Sequence, residues 1–206
     1  MSTNAIVRLE KPQIGPAAEM LSRAYENDPK MAHVIRDAAK RHASSRDILE
    51  FEIKYGMRYG EVHVTSPALE GVAIWLPSAK AQMTFWRSVL VGGIKLHHEI
   101  GTEALNTIED FGRQIDAIRT RHLPAPHWYL ITIGVDPAFQ GKGFADRLVL
   151  PMLARLDAEG TPSYVDVQNE KYVPLYRHYG YEVVEQTTIA GTDVGYWGMV
   201  RKAPGK

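Results

Sequence analysis

Residues 127–145, His-Trp-Tyr-Leu-Ile-Thr-Ile-Gly-Val-Asp-Pro-Ala-Phe-Gln-Gly-Lys-Gly-Phe-Ala, place a strand, a turn and the start of a helix in close succession. Tyr129, Leu130, Ile131, Ile133 and Val135 form a β-prone apolar run, and Asp136-Pro137 stops it. Gly141 and Gly143 follow, and without a Cβ they let backbone approach a ligand closely. From Phe144 onward, Leu148, Met152 and Leu156 recur every four residues, as one face of a helix does. A strand thus feeds through glycines into an amphipathic helix. The first turn of such a helix carries unpaired N–H groups and the positive end of the peptide dipole, which suits a phosphate or pyrophosphate. Lys142 adds a formal charge beside it.

The spacing narrows the kind of loop. A P-loop needs Gly-x-x-x-x-Gly-Lys-Ser/Thr, whereas Lys142 is followed by Gly143 after the wrong interval. A dinucleotide fingerprint needs Gly or Ala three residues after its second glycine, and Asp146 stands there. What remains is Gln140-Gly141-Lys142-Gly143-Phe144-Ala145, for which an ordinary strand-to-helix turn with two glycines is the bland alternative.

A chain of 206 residues fits one domain with room for an insertion and can bury about 70% of its unfolded surface. Apolar and charged fractions of 45% and 23% exclude disordered and fibrous classes. Lys plus Arg and Asp plus Glu both number 24, so no overall positive field points to nucleic acid. The absence of cysteine removes disulfides, thiolate metal sites and a cysteine nucleophile. No basic-then-apolar leader pattern opens the sequence, and no uninterrupted apolar run reaches 18 residues. The expectation is a soluble, cytoplasmic protein with no membrane partner. A homodimer stays open.

Ile6–Leu9 is β-prone, and Ile14, Ala17, Ala18, Leu21 and Tyr25 share a helical face that ends at Asn27-Asp28-Pro29. Met31 to Arg41 suits a short helix, and a longer one runs to Tyr59 with Ser44 or Ser45 as its N-cap. Val62-His63-Val64 and Val72 to Leu76 read as a hairpin. Residues 78–125 carry helical patterning through Phe85, Val89, Ile94, Leu96, Leu105, Ile108, Phe111, Ile115 and Ile118, interrupted at Gly92-Gly93. This helical insertion precedes the central strand, and its apolar face reads as core or as a lid over a bound acceptor. Arg87 and Lys95 argue against a membrane-binding face. His97 and His98 point about 100° apart on a helix, so no metal site is expected there. Pro151 lies inside the helix that follows the glycines and predicts a kink. Tyr164 to Gln168 is a strand, Asn169 to Tyr179 a helix stopped by Gly180, and Tyr181–Ile189 and Gly195–Arg201 are two last strands. This order predicts an α+β fold in one domain, with a mixed, mostly antiparallel central sheet flanked by helices.

Two motifs then coincide. Gln140 to Ala145 resembles the Gln/Arg-x-x-Gly-x-Gly/Ala signature of the GCN5-related N-acetyltransferases (GNATs), and Asn169-Glu-Lys-Tyr-Val-Pro-Leu-Tyr-Arg-His-Tyr-Gly-Tyr181 resembles their Asn-x-x-x-x-x-Leu-Tyr-x-x-x-Gly-Phe motif. They stand in the family's order, joined by a helix and a strand. Trp128 to Gly143, Leu150-Pro151, Pro174-x-Tyr176 and Tyr196-Trp197-Gly198-Met199 look most like the puromycin N-acetyltransferase-type branch. The resemblance implies the GNAT fold and an acyl-CoA-dependent N-acyltransferase that takes acetyl from acetyl-CoA to a primary amine, of a small molecule in the leading reading. An acyl-CoA-binding regulator without turnover and a peptide or protein N-acetyltransferase are the alternatives. It also implies that the backbone of Ile133, Gly134 and Val135 meets the pantetheine arm. Gln140, Gly141, Lys142, Gly143, Phe144 and Ala145 would hold the pyrophosphate, Asn169 would lie near the cofactor, and Tyr176 would hydrogen-bond the departing thiol. Tyr172 departs from the Asn or Ala that relatives often have.

The chemistry asks for such groups independently. A primary amine with a pKa near about 10.4 is protonated at neutral pH, so attack on a thioester needs a proton acceptor. Asp166 matches an acidic position of the puromycin-type branch, and strand alternation puts it on the face of Tyr164 and Gln168. His127 or a water relay could serve instead. A backbone N–H between Ile133 and Val135 is the candidate oxyanion donor.

Overall fold

The computed structural model describes residues 7–124 and 126–203, so Ile6 and the last residue of the 78–125 span lie outside the described residues. The chain runs through β1 (Val7–Arg8), α1 (Ile14–Ala24), α2 (Pro29–Val34), α3 (Ala38–Tyr59), β2 (Glu61–Val64) and β3 (Gly71–Pro77). Then come α4 (Ser78–Ala81), α5 (Phe85–Val89), α6 (Gly93–His122) and β4 (Trp128–Val135). The last part holds α7 (Phe144–Glu159), β5 (Ser163–Val167), α8 (Val173–His178), β6 (Glu182–Thr188) and β7 (Gly195–Arg201). The strands form one seven-stranded sheet in the order β1-β2-β3-β4-β5-β7-β6. Every neighbouring pair is antiparallel except β4 with β5. This is the mixed, mostly antiparallel sheet that the element order predicts.

Helices cover both faces. On one face α1 and α3 bring Leu21, Leu49 and Ile53 against Val62, Val72 and Ile74. Farther along that face, Phe111 and Ile115 of α6 join Leu76, Tyr129, Tyr164 and Tyr196. On the other face, Leu148, Met152 and Leu156 of α7 and Val173 and Tyr176 of α8 pack on Ala73, Trp75, Leu130 and Val165. Fully burying each such side chain is worth about 1.5–3 kcal/mol, which is why the two helix layers hold the central strands firmly.

Several boundaries differ from the sequence reading for local reasons. Helix α3 starts at Ala38, because the Asp37 carboxylate accepts from Ala39 N–H at 3.0 Å. Ser44 and Ser45, the expected caps, are buried inside it. The helix after β5 begins as a 3-10 turn at Glu170–Tyr172, with the Asn169 side chain accepting from Lys171 N–H. In the insertion, Gly92 takes φ 104° and starts α6. Leu96 and Phe111 are core, as expected, but Phe85 and Ile94 are 69% exposed. Helix α5 has five residues, too few to wrap its apolar side chains around a neighbour, so Phe85 and Trp86 pack mainly on each other. The later half of α6 lies within the core beneath β4 and β5.

Candidate active site

The site begins where two strands part. β4 and β5 pair through Trp128–Ser163, Tyr129–Tyr164 and Leu130–Val165, and their register ends there. The last five residues of β4 therefore line an opening. Which of their backbone groups face it is decided by a β-bulge. In the pairing of β3 with β4, Trp75 opposes Leu130 and Ile74 opposes Thr132, so Ile131 is an extra residue. Before the bulge, Trp128 N–H reaches Pro162 on the β5 side, and after it Asp136 N–H reaches Glu70 on the β3 side. Alternate residues of a strand turn their hydrogen-bonding groups the same way. Thr132 and Gly134 thus face β3, and Ile133 and Val135 face the gap. Gly134, expected to meet the pantetheine arm with its neighbours, is turned from it. Its role is steric, since a Cβ there would come within 2.6 Å of Leu21 Cδ2 and 3.1 Å of Ala24 Cβ on α1.

At the end of β4 the chain enters the glycine turn. Asp136 accepts from Ala138 N–H at 2.9 Å and pairs with Arg23 of α1 at 2.5 Å, and this guanidinium holds its carboxyl below the usual range. Gln140 folds back to donate to the Val135 carbonyl at 3.1 Å. Lys142 donates to Ala138 O at 2.9 Å and lies over the Phe139 ring, which stacks edge-on with Phe144. Gly141 and Gly143 have φ of 73° and 76°, a region that side chains disfavour. A Cβ would meet nothing within 4 Å at Gly141 and only Asp146 Oδ2 at Gly143, so the backbone bend, not crowding, demands glycine. The turn leaves an open shelf in front of Phe144, Ala145 and the sixteen-residue helix α7. These residues fit a pyrophosphate: an open shelf, helix N–H groups and an adjacent ammonium.

Tyr176 enters from α8 and is buried. Among the described residues, the other buried tyrosine hydroxyls are spoken for. Tyr55 donates to Lys80 O, Tyr129 to Asp166, Tyr179 to Asp146, while Tyr164 pairs with Tyr196 and Tyr181 with Ser163. Tyr176 packs edge-on against the rings of Tyr179 and Tyr181, and its hydroxyl has no hydrogen-bond partner among the described residues. Burial, then Tyr181 and Asp166, push that hydroxyl well up, so it stays a donor throughout the physiological range.

Asp166 lies on β5 with Oδ1 accepting from Tyr129 at 2.5 Å and Oδ2 accepting from Gln168 at 2.6 Å. Burial raises its pKa, and the two hydrogen bonds and the charge of Lys30 oppose the rise. His127 is buried, with Nε2 2.9 Å from the Arg119 guanidinium. An arginine can only donate, so that nitrogen has no lone pair left to take a proton from a substrate.

Two further groups at the gap have no signal in the sequence. Glu52, buried on α3, accepts from Thr132 at 2.5 Å. Tyr25, just past the end of α1, bonds the backbone of Ile133 from 108 residues away. In the sequence Tyr25 is one more apolar position on a core face, because periodicity records burial and says nothing of where a hydroxyl points. Nearby, between α2 and the turn before β7, Pro29, Ala32, His33, Arg36, Asp193 and Val194 line an open groove of ≈ 470 Å³.

With this geometry in hand, similarity to known proteins is informative. A family model described as Acetyltransferase (GNAT) family matches residues 112–181. An uncharacterized N-acetyltransferase of Schizosaccharomyces pombe is 25% identical over 187 residues, which cover 86% of this chain and 74% of that protein. A crystal structure of histone acetyltransferase HPA2 and related acetyltransferase from Corynebacterium glutamicum superposes with a TM-score of 0.68 at 20% identity, covering 98% of this chain and 97% of that one. The Drosophila melanogaster polyamine N-acetyltransferase, which catalyses formation of N-acetylagmatine, superposes at 0.63 with 13% identity, covering 96% of this chain and 99% of that one. At such identities the two structures speak for the fold.

Proposed function

We propose that the chain, supported by its family match and fold as a GNAT-superfamily acetyltransferase, moves acetyl from acetyl-CoA to a primary amine of a small molecule by direct attack in a ternary complex. The chain is an acyl-CoA-dependent N-acyltransferase; the acceptor and the route are the inferred part. The observation that carries the route is the parted β4–β5 pair, with a glycine shelf at the end of one strand and the unpartnered Tyr176 hydroxyl near the other. We read the whole chain as one such domain, with the helices after β3 as an insertion. Within the superfamily its motifs are nearest the puromycin N-acetyltransferase type.

In this reading the pyrophosphate lies on the N–H groups of Gln140 to Ala145, with Lys142 beside it. The pantetheine arm runs along the gap-facing groups of Ile133 and Val135, with Asn169 on the opposite rim. The amine enters by the groove beside α2. Its lone pair attacks the thioester carbonyl carbon, and the nitrogen becomes acidic as the C–N bond forms. Asp166 takes that proton, and its raised pKa makes it a stronger base than an exposed aspartate. An Ile133 or Val135 N–H stabilises the oxyanion. When the C–S bond breaks, the electron pair goes to sulfur and Tyr176 donates a hydrogen bond to it. Agmatine, named for the Drosophila protein, is one amine to try first.

Thiol release from acetyl-CoA, followed across a panel of primary amines, tests this reading. Acceptor-dependent release that falls about 10- to 10⁴-fold in Tyr176→Phe, with acetyl-CoA affinity little changed, is the expected result. Acetyl-CoA binding without release for any amine would make the chain a regulator, and unchanged turnover in the variant would take the role from Tyr176.

A further inference from the structure

The gap between β4 and β5 already has a claimant inside the protein. Tyr25 follows the last turn of α1, and its hydroxyl donates to the Ile133 carbonyl at 3.1 Å while accepting from the Ile133 N–H at 3.3 Å. Ile133 is one of the two residues whose hydrogen-bonding groups face the gap. A phenol is both donor and acceptor, so one hydroxyl satisfies both groups of that residue, much as an amide in a ligand would. The ring is held there from several sides. It lies 3.5 Å from where a Cβ on Gly134 would be, Leu21 and Ala24 press on the same glycine, and Arg23 pairs with Asp136 at 2.5 Å. The end of α1 is thus clamped onto the last residues of β4.

We infer that Tyr25 is a positioning residue that competes with the acyl-pantetheine for the Ile133 backbone, and that binding of acetyl-CoA swings its hydroxyl out of the gap toward the acceptor side. This rests on the reading of the gap as the thioester site. Any thioester or pantetheine carbonyl that uses the Ile133 N–H has to break the Tyr25 contact, and the freed hydroxyl needs a new partner. The groups whose charge it feels are Asp28, Tyr176 and Glu52. Asp28 caps α2 beside the groove, and Glu52 is bonded to Thr132 two residues from the bulge-flanking Leu130. Movement of Tyr25 therefore reshapes the wall that an amine would meet. Cofactor before amine is the binding order that follows, because the acceptor wall is complete only after Tyr25 has left Ile133.

The experiment is a comparison of wild type with Tyr25→Phe, which keeps the ring on Gly134 and removes the hydroxyl. Isothermal titration with acetyl-CoA should show the variant binding about 5- to 30-fold more tightly, the equivalent of one to two ordinary hydrogen bonds no longer broken. In steady state the KM for acetyl-CoA should fall while the KM for the amine rises. Affinity unchanged or weakened in a variant with a wild-type melting temperature would overturn the inference. Tyr25→Leu also lacks the hydroxyl and carries the same expectation should the Phe variant melt early. If wild type itself binds no acetyl-CoA, this inference and the reading of the gap fall together; if it binds and neither variant binds more tightly, only this inference falls.

Discussion

Asp166 shows how one residue can be placed against its own stability. Burial raises its pKa above the ordinary aspartate value, so at neutral pH the fold holds a carboxylate that would be easier to ionise in the unfolded chain. The sign follows from proton binding: between the unfolded and folded pKa values the native state holds more protons, so the group costs stability as pH rises through that window. Asp166→Asn should therefore melt no lower than wild type at pH 7 while losing about 10²-fold or more in kcat/KM. The wild-type kcat/KM profile should carry an acid limb above the ordinary aspartate range, and a flat profile there would remove Asp166 as the base. Asp166 and Tyr176 were legible because each sits at a fixed distance from a motif. The hydroxyl partners that distinguish Tyr176 from the other buried tyrosines were not, since they come from Ser163, Asp146 and Tyr196 on other elements.

At the scale of elements, the site depends on how closely α1 approaches β4. Gly134 makes that approach possible, and a methyl group there meets Leu21 and Ala24 at distances real side chains do not tolerate. Gly134→Ala should cost about 1–3 kcal/mol, the usual toll of overpacking. It should also push Tyr25 off Ile133, which a chemical-denaturation curve and an acetyl-CoA titration would read separately. A variant of wild-type stability would mean that α1 shifts freely. The sequence announces α1, β4 and α7 through periodicity and turn residues, and all three form as expected. It does not announce the bulge, because Ile131 is as β-prone and apolar as the residues on either side. Nor does it announce that Asp37 outcompetes Ser44 and Ser45 as a cap, a contest decided by which side chain ends up outside the core.

Across the whole molecule, the sheet's far end is tied to α7 by a charged cluster. Glu61 of β2 accepts from Arg155 of α7 at 3.0 Å, pairs with Arg8 of β1 at 2.8 Å and receives His63 Nε2–H at 2.9 Å. Against the opposing effect of burial, these partners bring the Glu61 pKa down from 4.5 to about 2. A lowered carboxylate contributes its stability above its unfolded pKa and loses it as pH falls toward the folded one. Glu61→Gln should lower stability on the order of 2 kcal/mol at pH 7. The gap between variant and wild type should close as pH drops from 4.5 toward about 2, as read by denaturant midpoints, and a gap independent of pH would assign the loss to packing. The α+β class and strand positions were readable from local patterns, but β7 lying between β5 and β6 was not, since sheet order is set by long-range pairing. The bulge at Ile131 carries one more consequence, for what insertions and deletions this chain can survive. Removing a single residue between Trp128 and Ile131 would restore regular pairing yet exchange the parity of everything after it. Thr132 and Gly134 would then address the gap, and the glycine shelf beyond would begin half a pleat out of phase with the helix it opens.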